Sequence, residues 1–355
     1  MRIAYVVERS LDRDEGAVKK IAAQMRAWEQ AGHEARLFAL VRKQGLAAQL
    51  ADLSVATEHW RGPWDWIGRY GRLIDVALAW QPDVAYYRFA KYFPALGRLM
   101  RRVPTVLEMN TDDLREYGNS MAWYTYAYHK ATRGKLFSLC RGLVAPTEEL
   151  AEVYRPFGKP VVVIANGIEL AKCEPLPAPN NPHPRLIFIG AADNPWHGVD
   201  KILRLARSNP GWLFDLVGDT TFGQPGPLAE NVTMHGHLSA TAYEPLLARA
   251  DVALSTLALH RNSMEEASPL KTREYLARGL PVIIGYRDTD FPAEAPFLLR
   301  IANTPDNVDD SVEAIHRFVT AARGLRVPRE SIQHIDSAAK EQRRLEFFAS
   351  VKKND

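Results

Sequence analysis

Two doubly wound α/β domains facing a central cleft are what the sequence predicts, and three observations predict them. Apolar strand-like runs alternate with helical patterns, the rhythm of a parallel sheet covered by helices on both faces. A stretch with five prolines in fourteen residues, 171–184, breaks that rhythm, which then restarts. A single core stops growing at roughly 250–300 residues, so a chain of 355 residues, 46% of them hydrophobic, divides in two. The expected domains are 1–170 and 185–330, with 171–184 as linker and a final helical segment at 331–355.

The first strand is read at residues 3–7. A polar loop containing Gly16 leads into a helix marked by Ala17, Val18, Ile21, Ala22, Met25 and Trp28. Gly32 suits a left-handed cap, and a second strand follows at 35–40. Further strands are expected at 84–87, 103–109, 142–146 and 161–165, with helices at 69–80 and 147–154. After the prolines come strand 185–189 ending in Gly190, helix 199–208, strand 212–217 with Gly218, and strand 232–235. Helix 242–249, strand 252–255, helix 269–278 and strand 281–284 complete the second domain, and a basic helical stretch covers 331–351. Ligands of such folds sit at the carboxyl ends of the strands.

The charge balance, 45 Lys+Arg against 42 Asp+Glu, disfavours nucleic acid as the main partner. Residues 1–170 nevertheless carry +5 and residues 171–355 carry −2. With only Cys140 and Cys173 there is no disulfide framework and no cysteine-based metal site, which points to a reducing compartment. The N-terminus meets charged residues too early for a signal peptide's apolar run of about 7–15 residues, and no stretch approaches the ~18 apolar residues of a membrane span. A cytoplasmic location is expected, with peripheral contact at the membrane's cytoplasmic face as an extension of it. No Gly-x-Gly-x-x-Gly follows the first strand and no P-loop occurs, which removes dehydrogenases and P-loop enzymes.

The most informative stretch is Glu266-Ala-Ser-Pro-Leu-Lys-Thr-Arg-Glu274. Ser268 reads as an N-cap, Pro269 as the first helical residue, and Gly279 with Pro281 as the stop. Free N–H groups and the positive dipole end make such a helix start an anion site. Lys271 in the first turn opposes that dipole, a conflict that a phosphate ligand resolves. Glu274 can accept two hydrogen bonds from a vicinal diol such as ribose, and Glu266 lies before the cap, facing whatever is beyond the phosphate. The plainer reading is a surface helix with scattered charges.

Followed by Tyr-Leu-Ala-x-Gly-x-Pro-Val, Glu266-x7-Glu274 resembles the donor-site signature of retaining GT-B glycosyltransferases of glycosyltransferase family 4 (glycosyl transferases group 1). The Gly16 loop with its helix, Val163-Ile-Ala-Asn-Gly-Ile168, and Ile187-Phe-Ile-Gly190 with Pro195-Trp-His-Gly198 agree in order. The resemblance implies a GT-B fold whose last helix crosses back to the N-terminal domain. It also implies transfer, with retention, from a UDP- or GDP-linked sugar in the C-terminal domain to a glycan or lipid-linked acceptor in the N-terminal one. Neither cofactor nor metal is implied, so Lys271, the amides around Ser268, Pro269 and Leu270, and the Gly16 loop would neutralise the diphosphate. By the same match Glu274 would hold the ribose and Glu266 the transferred sugar, with His197, Gly198, Gly236 and His237 on the donor.

The sequence departs from the family where relatives carry an Arg and a Lys: Ala191-Ala192 and His197 stand there. Either a protonated His197 contacts phosphate, or Lys271 and another Arg carry more of the charge, or activity is weak; His197 packed beside Trp196 is the structural alternative. On the acceptor side, Asn110 is the nearest match to a family His, and Asp112 and Asp113 could orient an acceptor hydroxyl or cap the strand end. Arg88 faces an anionic acceptor or an ion-pair partner. The segment 123–137 interleaves aromatics with Lys130, Arg133 and Lys135; a packed amphipathic helix is its commoner reading and a membrane contact the other. Competing functions are a degenerate nucleotide-sugar-binding or glycan-binding protein and a GT-B nucleotide-sugar epimerase.

Overall fold

Strand β1 (Arg2–Glu8) is apolar on both sides: Ala4 and Val6 enter one core cluster, Ile3, Tyr5 and Val7 the other. That period of two, buried on each face, is what a parallel strand between helix layers requires. The computed structural model describes residues 1–12, 16–42, 45–190, 194–223 and 227–352. Along the first unit β1 is followed by α1 (Gly16–Gln30), β2 (Glu34–Val41), β3 (Val55–His59), α2 (Pro63–Ala79), β4 (Val84–Arg88) and α3 (Pro94–Arg102). Then come β5 (Thr105–Glu108), α4 (Asp113–Ser120), α5 (Trp123–Leu139), β6 (Gly142–Ala145), α6 (Glu148–Tyr154) and β7 (Val161–Val163).

Among the described residues the seven strands form one parallel sheet in the order β3-β2-β1-β4-β5-β6-β7, so the direction of winding reverses between β1 and β4. Tyr5 pairs with Leu37 of β2 and with Tyr86 of β4. Gly32 takes the expected left-handed conformation, φ +79°. The sequence reading omits β3, whose polar Val-Ala-Thr-Glu-His run fits an edge strand, and it starts α2 late because Pro63 at the first turn opens that helix.

The second unit runs β8 (Arg185–Ile189), α7 (Val199–Ser208), β9 (Leu213–Val217), β10 (Val232–Met234), α8 (Ala240–Arg249), β11 (Val252–Leu254) and β12 (Glu266–Ala267). It continues through α9 (Leu270–Ala277), β13 (Val282–Ile284), β14 (Arg287–Asp288), β15 (Leu298–Arg300), α10 (Asn307–Asp310) and α11 (Val312–Ala322). Its main sheet is also parallel, in the order β10-β9-β8-β11-β13-β15, and β12 pairs with β14 apart from it.

The units comprise 1–165 with 337–355, and 166–336, which corrects the expected boundaries. The proline-rich 171–184 is no free linker: Leu170, Cys173 and Leu176 pack on the second core. Prolines cannot donate, and their neighbours' carbonyls are taken by guanidinium groups. Arg278 donates to Glu174 O at 3.2 Å, and Arg326 to Leu176 O and Pro177 O at 3.3 and 3.1 Å. The last helix likewise starts later than expected, because 3₁₀ turns occupy Arg329–Ile335 and Asp336 is extended.

Helix α12 (Ser337–Lys352) belongs to the first unit and packs on α1. Trp28 meets Phe348 edge-on at 5.7 Å, and its indole N–H donates to Glu341 at 2.8 Å. Arg344, buried beside it, pairs with Glu341 at 2.8 Å and donates to the Tyr86 hydroxyl at 2.7 Å. Among the described residues no helix is long and apolar enough to cross a membrane.

Candidate active site

Three glycines line up at the carboxyl ends of adjacent strands in the second unit: Gly190 after β8, Gly218 after β9 and Gly236 beyond β10. Gly218 N donates to Gly236 O at 2.7 Å, and a Cβ on Gly218 would fall 1.7 Å from Gly190 O, so no side chain fits there. A Cβ on Gly190 would lie 2.9 Å from both Lys271 Nζ and His197 Nδ1. The bare backbone thus leaves room for the amine and the imidazole to approach the end of β8.

Lys271 is the unusual member of this group. Its Nζ is buried without a hydrogen-bond partner and sits 4.3 Å from the centre of the Phe188 ring. Burial with no compensating charge pulls its pKa down to about 7. Glu274, three residues on and therefore on the same helix face, accepts a hydrogen bond from the Tyr243 hydroxyl at 2.7 Å. Glu266 lies on β12 and pairs with Arg287 at 3.3 Å.

The start of α9 differs from expectation. Pro269, extended at φ −69° and ψ 137°, is the N-cap, and no side chain caps it. Ser268 is held elsewhere: its hydroxyl accepts from Asn166 N at 2.9 Å and from Arg273 at 2.8 Å. Arg273, fully buried, grips Asp288 with two 2.8 Å bonds. The first intrahelical bond is donated by Thr272 N to Pro269 O, leaving the Leu270 and Lys271 amides ahead of it at the positive end. Gly198 caps α7 at φ +73°, His197 is buried against Phe188, Gly236 is buried and His237 is exposed. Gly16 opens α1 in the first unit. Ala191 and Ala192 lie outside the described residues.

In the first unit a cavity of about 310 Å³ opens past the ends of β1, β4 and β5, with Glu8, Arg88 and Asn110 in its wall. Arg88 donates to Glu108 at 3.2 Å, which is the ion-pair reading of that residue. Glu108, buried at the end of β5, also pairs with Lys20 at 2.7 Å and accepts from Tyr5 at 2.8 Å. Burial by itself raises its carboxyl, but Lys20, Arg88 and Arg344 outweigh that and hold it well below the usual range. Asn110 accepts from Lys20 at 3.3 Å.

Of the readings open for the two aspartates, the geometry shows a cap at Asp112 and internal pairing at Asp113. Asp112 caps α4, accepting from Leu114 N at 3.0 Å and Arg115 N at 3.2 Å. Asp113 is 1% exposed, and both its oxygens are spent on Arg133 at 2.6 and 2.7 Å, with His129 at 2.6 Å. A carboxylate so engaged is a strut between α4 and α5. Helix α5 divides along its length: His129, Leu136 and Phe137 are buried, whereas Trp123 is 80% and Tyr124 64% exposed. Sequence reasoning missed Glu8, Lys20, Glu108, Tyr243 and Arg273. Lys20 and Glu108 are 88 positions apart, and nothing local marks them as partners.

The model of Glycosyltransferase Family 4 matches residues 15–172. No curated protein sequence matches the chain. Among solved structures, sucrose-phosphate synthase from Thermosynechococcus elongatus superposes with a TM-score of 0.67 at 13% identity, covering 100% of both chains. Anabaena HepE, in complex with UDP and glucose, gives 0.65 at 15% identity over 99% of this chain and 100% of its own. The UDP-GlcNAc 2-epimerase of Neisseria meningitidis, bound to UDP-GlcNAc, gives 0.55 at 14% over 99% and 100%. The fold is that of GT-B glycosyltransferases, two Rossmann-like units with parallel sheets.

Proposed function

We propose that this chain is a glycosyltransferase that takes a sugar from a UDP- or GDP-linked donor held by the second unit and passes it, with retention and without a divalent metal, to a glycan or glycoconjugate. The observation that carries the reading is Lys271: a buried amine without a partner, beside Gly190 and His197 at the strand ends and at the start of α9. An unpaired buried ammonium is unfavourable in the free protein, and a diphosphate supplies the missing charge. The Leu270 and Lys271 amides add donors to the leaving group, whose charge grows as the glycosidic bond breaks. Glu274, oriented by Tyr243, would take the ribose hydroxyls, and Glu266 the hydroxyls of the transferred sugar.

The exposed Trp123 and Tyr124, on the unit that carries the sequence's net positive charge, support contact with a membrane bearing a lipid-linked acceptor. The test is calorimetry with UDP, GDP and their sugars, followed by product analysis with and without acceptor. Binding is expected, and Glu274→Ala should weaken it roughly tenfold or more. Absence of nucleotide binding sinks the reading; binding without transfer to any acceptor favours a nucleotide-sugar-binding protein, and isomerised sugar without acceptor favours an epimerase.

A further inference from the structure

The cavity of the first unit sits at the point in the sheet where winding reverses: Glu8 ends β1 and Arg88 ends β4, the two strands that flank the reversal. Crevices at such points are where open α/β sheets take ligands. At about 310 Å³ the space is at the small end of ligand pockets. Its wall combines an acceptor, Glu8, with the polar groups of Arg88 and Asn110 and the apolar surfaces of Phe89, Tyr117 and Met121.

Glu8 is the incomplete part. One oxygen accepts from the Trp66 indole N–H at 3.0 Å, and Trp66 is itself fixed between Tyr70, stacked at 5.1 Å, and Phe93 at 4.0 Å. The other oxygen is buried and has no partner. Burial raises this carboxyl, with the charge of Lys91 acting the other way. A buried carboxylate oxygen without a donor is costly to maintain, and Glu8 stands in the wall of a cavity of ligand size. Arg88, a cation in the same wall, is turned to Glu108.

We infer that the free oxygen of Glu8 receives a ring hydroxyl of a saccharide acceptor, with Phe89, Tyr117 and Met121 lying against the apolar face of the sugar and Arg88 and Asn110 meeting its polar edge. A sugar ring has both surfaces, an apolar face and a rim of hydroxyls, and the wall offers a match for each. The inference rests on the transferase reading, since it gives the acceptor its place. Glu8 thereby sets which hydroxyl pattern the site accepts, because an analogue lacking that hydroxyl leaves the carboxylate unpaired.

The experiment is saturation-transfer NMR on the full chain with the methyl glycosides of glucose, galactose, mannose and N-acetylglucosamine, alongside titration with UDP and GDP. Glu8→Gln keeps the oxygen that Trp66 needs, and Glu8→Asp keeps the charge but withdraws it. At least one glycoside should bind, and both variants should weaken it roughly 10- to 100-fold while nucleotide affinity holds. If Glu8→Gln does not fold, Glu8→Asp decides. A nucleotide that binds while no glycoside does, or glycoside binding indifferent to both folded variants, overturns the inference and leaves the transferase reading standing. Failure of both nucleotides removes that reading instead, while the glycoside arm still decides on Glu8.

Discussion

At Lys271 the interests of stability and of ligand binding diverge. Its pKa in the folded protein, about 7, lies below the ordinary 10.5 of a lysine, so between those values the folded chain binds fewer protons than the unfolded one and stability rises with pH. Below about pH 7 the full penalty of a buried charge is present. Lys271→Met should therefore melt above the wild type in the absence of ligand, most clearly near pH 6, and the difference should shrink as pH climbs past 7. The same substitution should weaken UDP-sugar binding by roughly tenfold or more. In the wild type, affinity for the UDP-sugar should fall as pH rises above about 7, since binding must then take up a proton; calorimetry in buffers of different ionisation enthalpy measures that uptake. A wild type that melts no lower than the variant at acid pH would show that the amine has a partner after all.

Among the elements, α12 shows how much one helix can depend on buried charge. Glu341 serves three donors at once, the Trp28 indole and two nitrogens of Arg344, in surroundings with almost no water. Removing one member of a buried pair leaves the other uncompensated, and about 3–5 kcal/mol is the usual loss. Glu341→Ala should lose that much in urea unfolding, whereas Arg343→Ala, on the exposed side of the same helix, should change little. The start of α9 is set by a comparable device. A serine followed by proline has the local form of a cap, yet Ser268 is drawn to Arg273 and Asn166, and the cap falls on Pro269. Capping preferences are worth about 1 kcal/mol, which a fully buried guanidinium with its own hydrogen bonds easily overrides.

For the molecule as a whole, the chain enters the second unit after Ala165 and returns to the first at Ser337. Residues 337–355 therefore stabilise the first unit although they follow the second in sequence. Calorimetric unfolding should show UDP raising the transition of the second unit, and deletion of 337–355 lowering that of the first; a deletion that moved only the UDP-sensitive transition would contradict this division. The fold itself was legible because strand and helix periods, Gly32 and the apolar runs are local signals, read over a handful of neighbours. Glu266, Lys271 and Glu274 could be singled out for the same reason, since nine residues of one segment hold all three. What the sequence by itself determined was two parallel α/β units and the position of α9. Only the tertiary structure decided that Asp113 is spent on Arg133, that Arg88 pairs with Glu108, and that Glu8 keeps an oxygen free. Those outcomes depend on which charges the sheet order brings together across 20 or more positions, and Coulomb energy at such contacts follows distance in space, which residue spacing along the chain does not report.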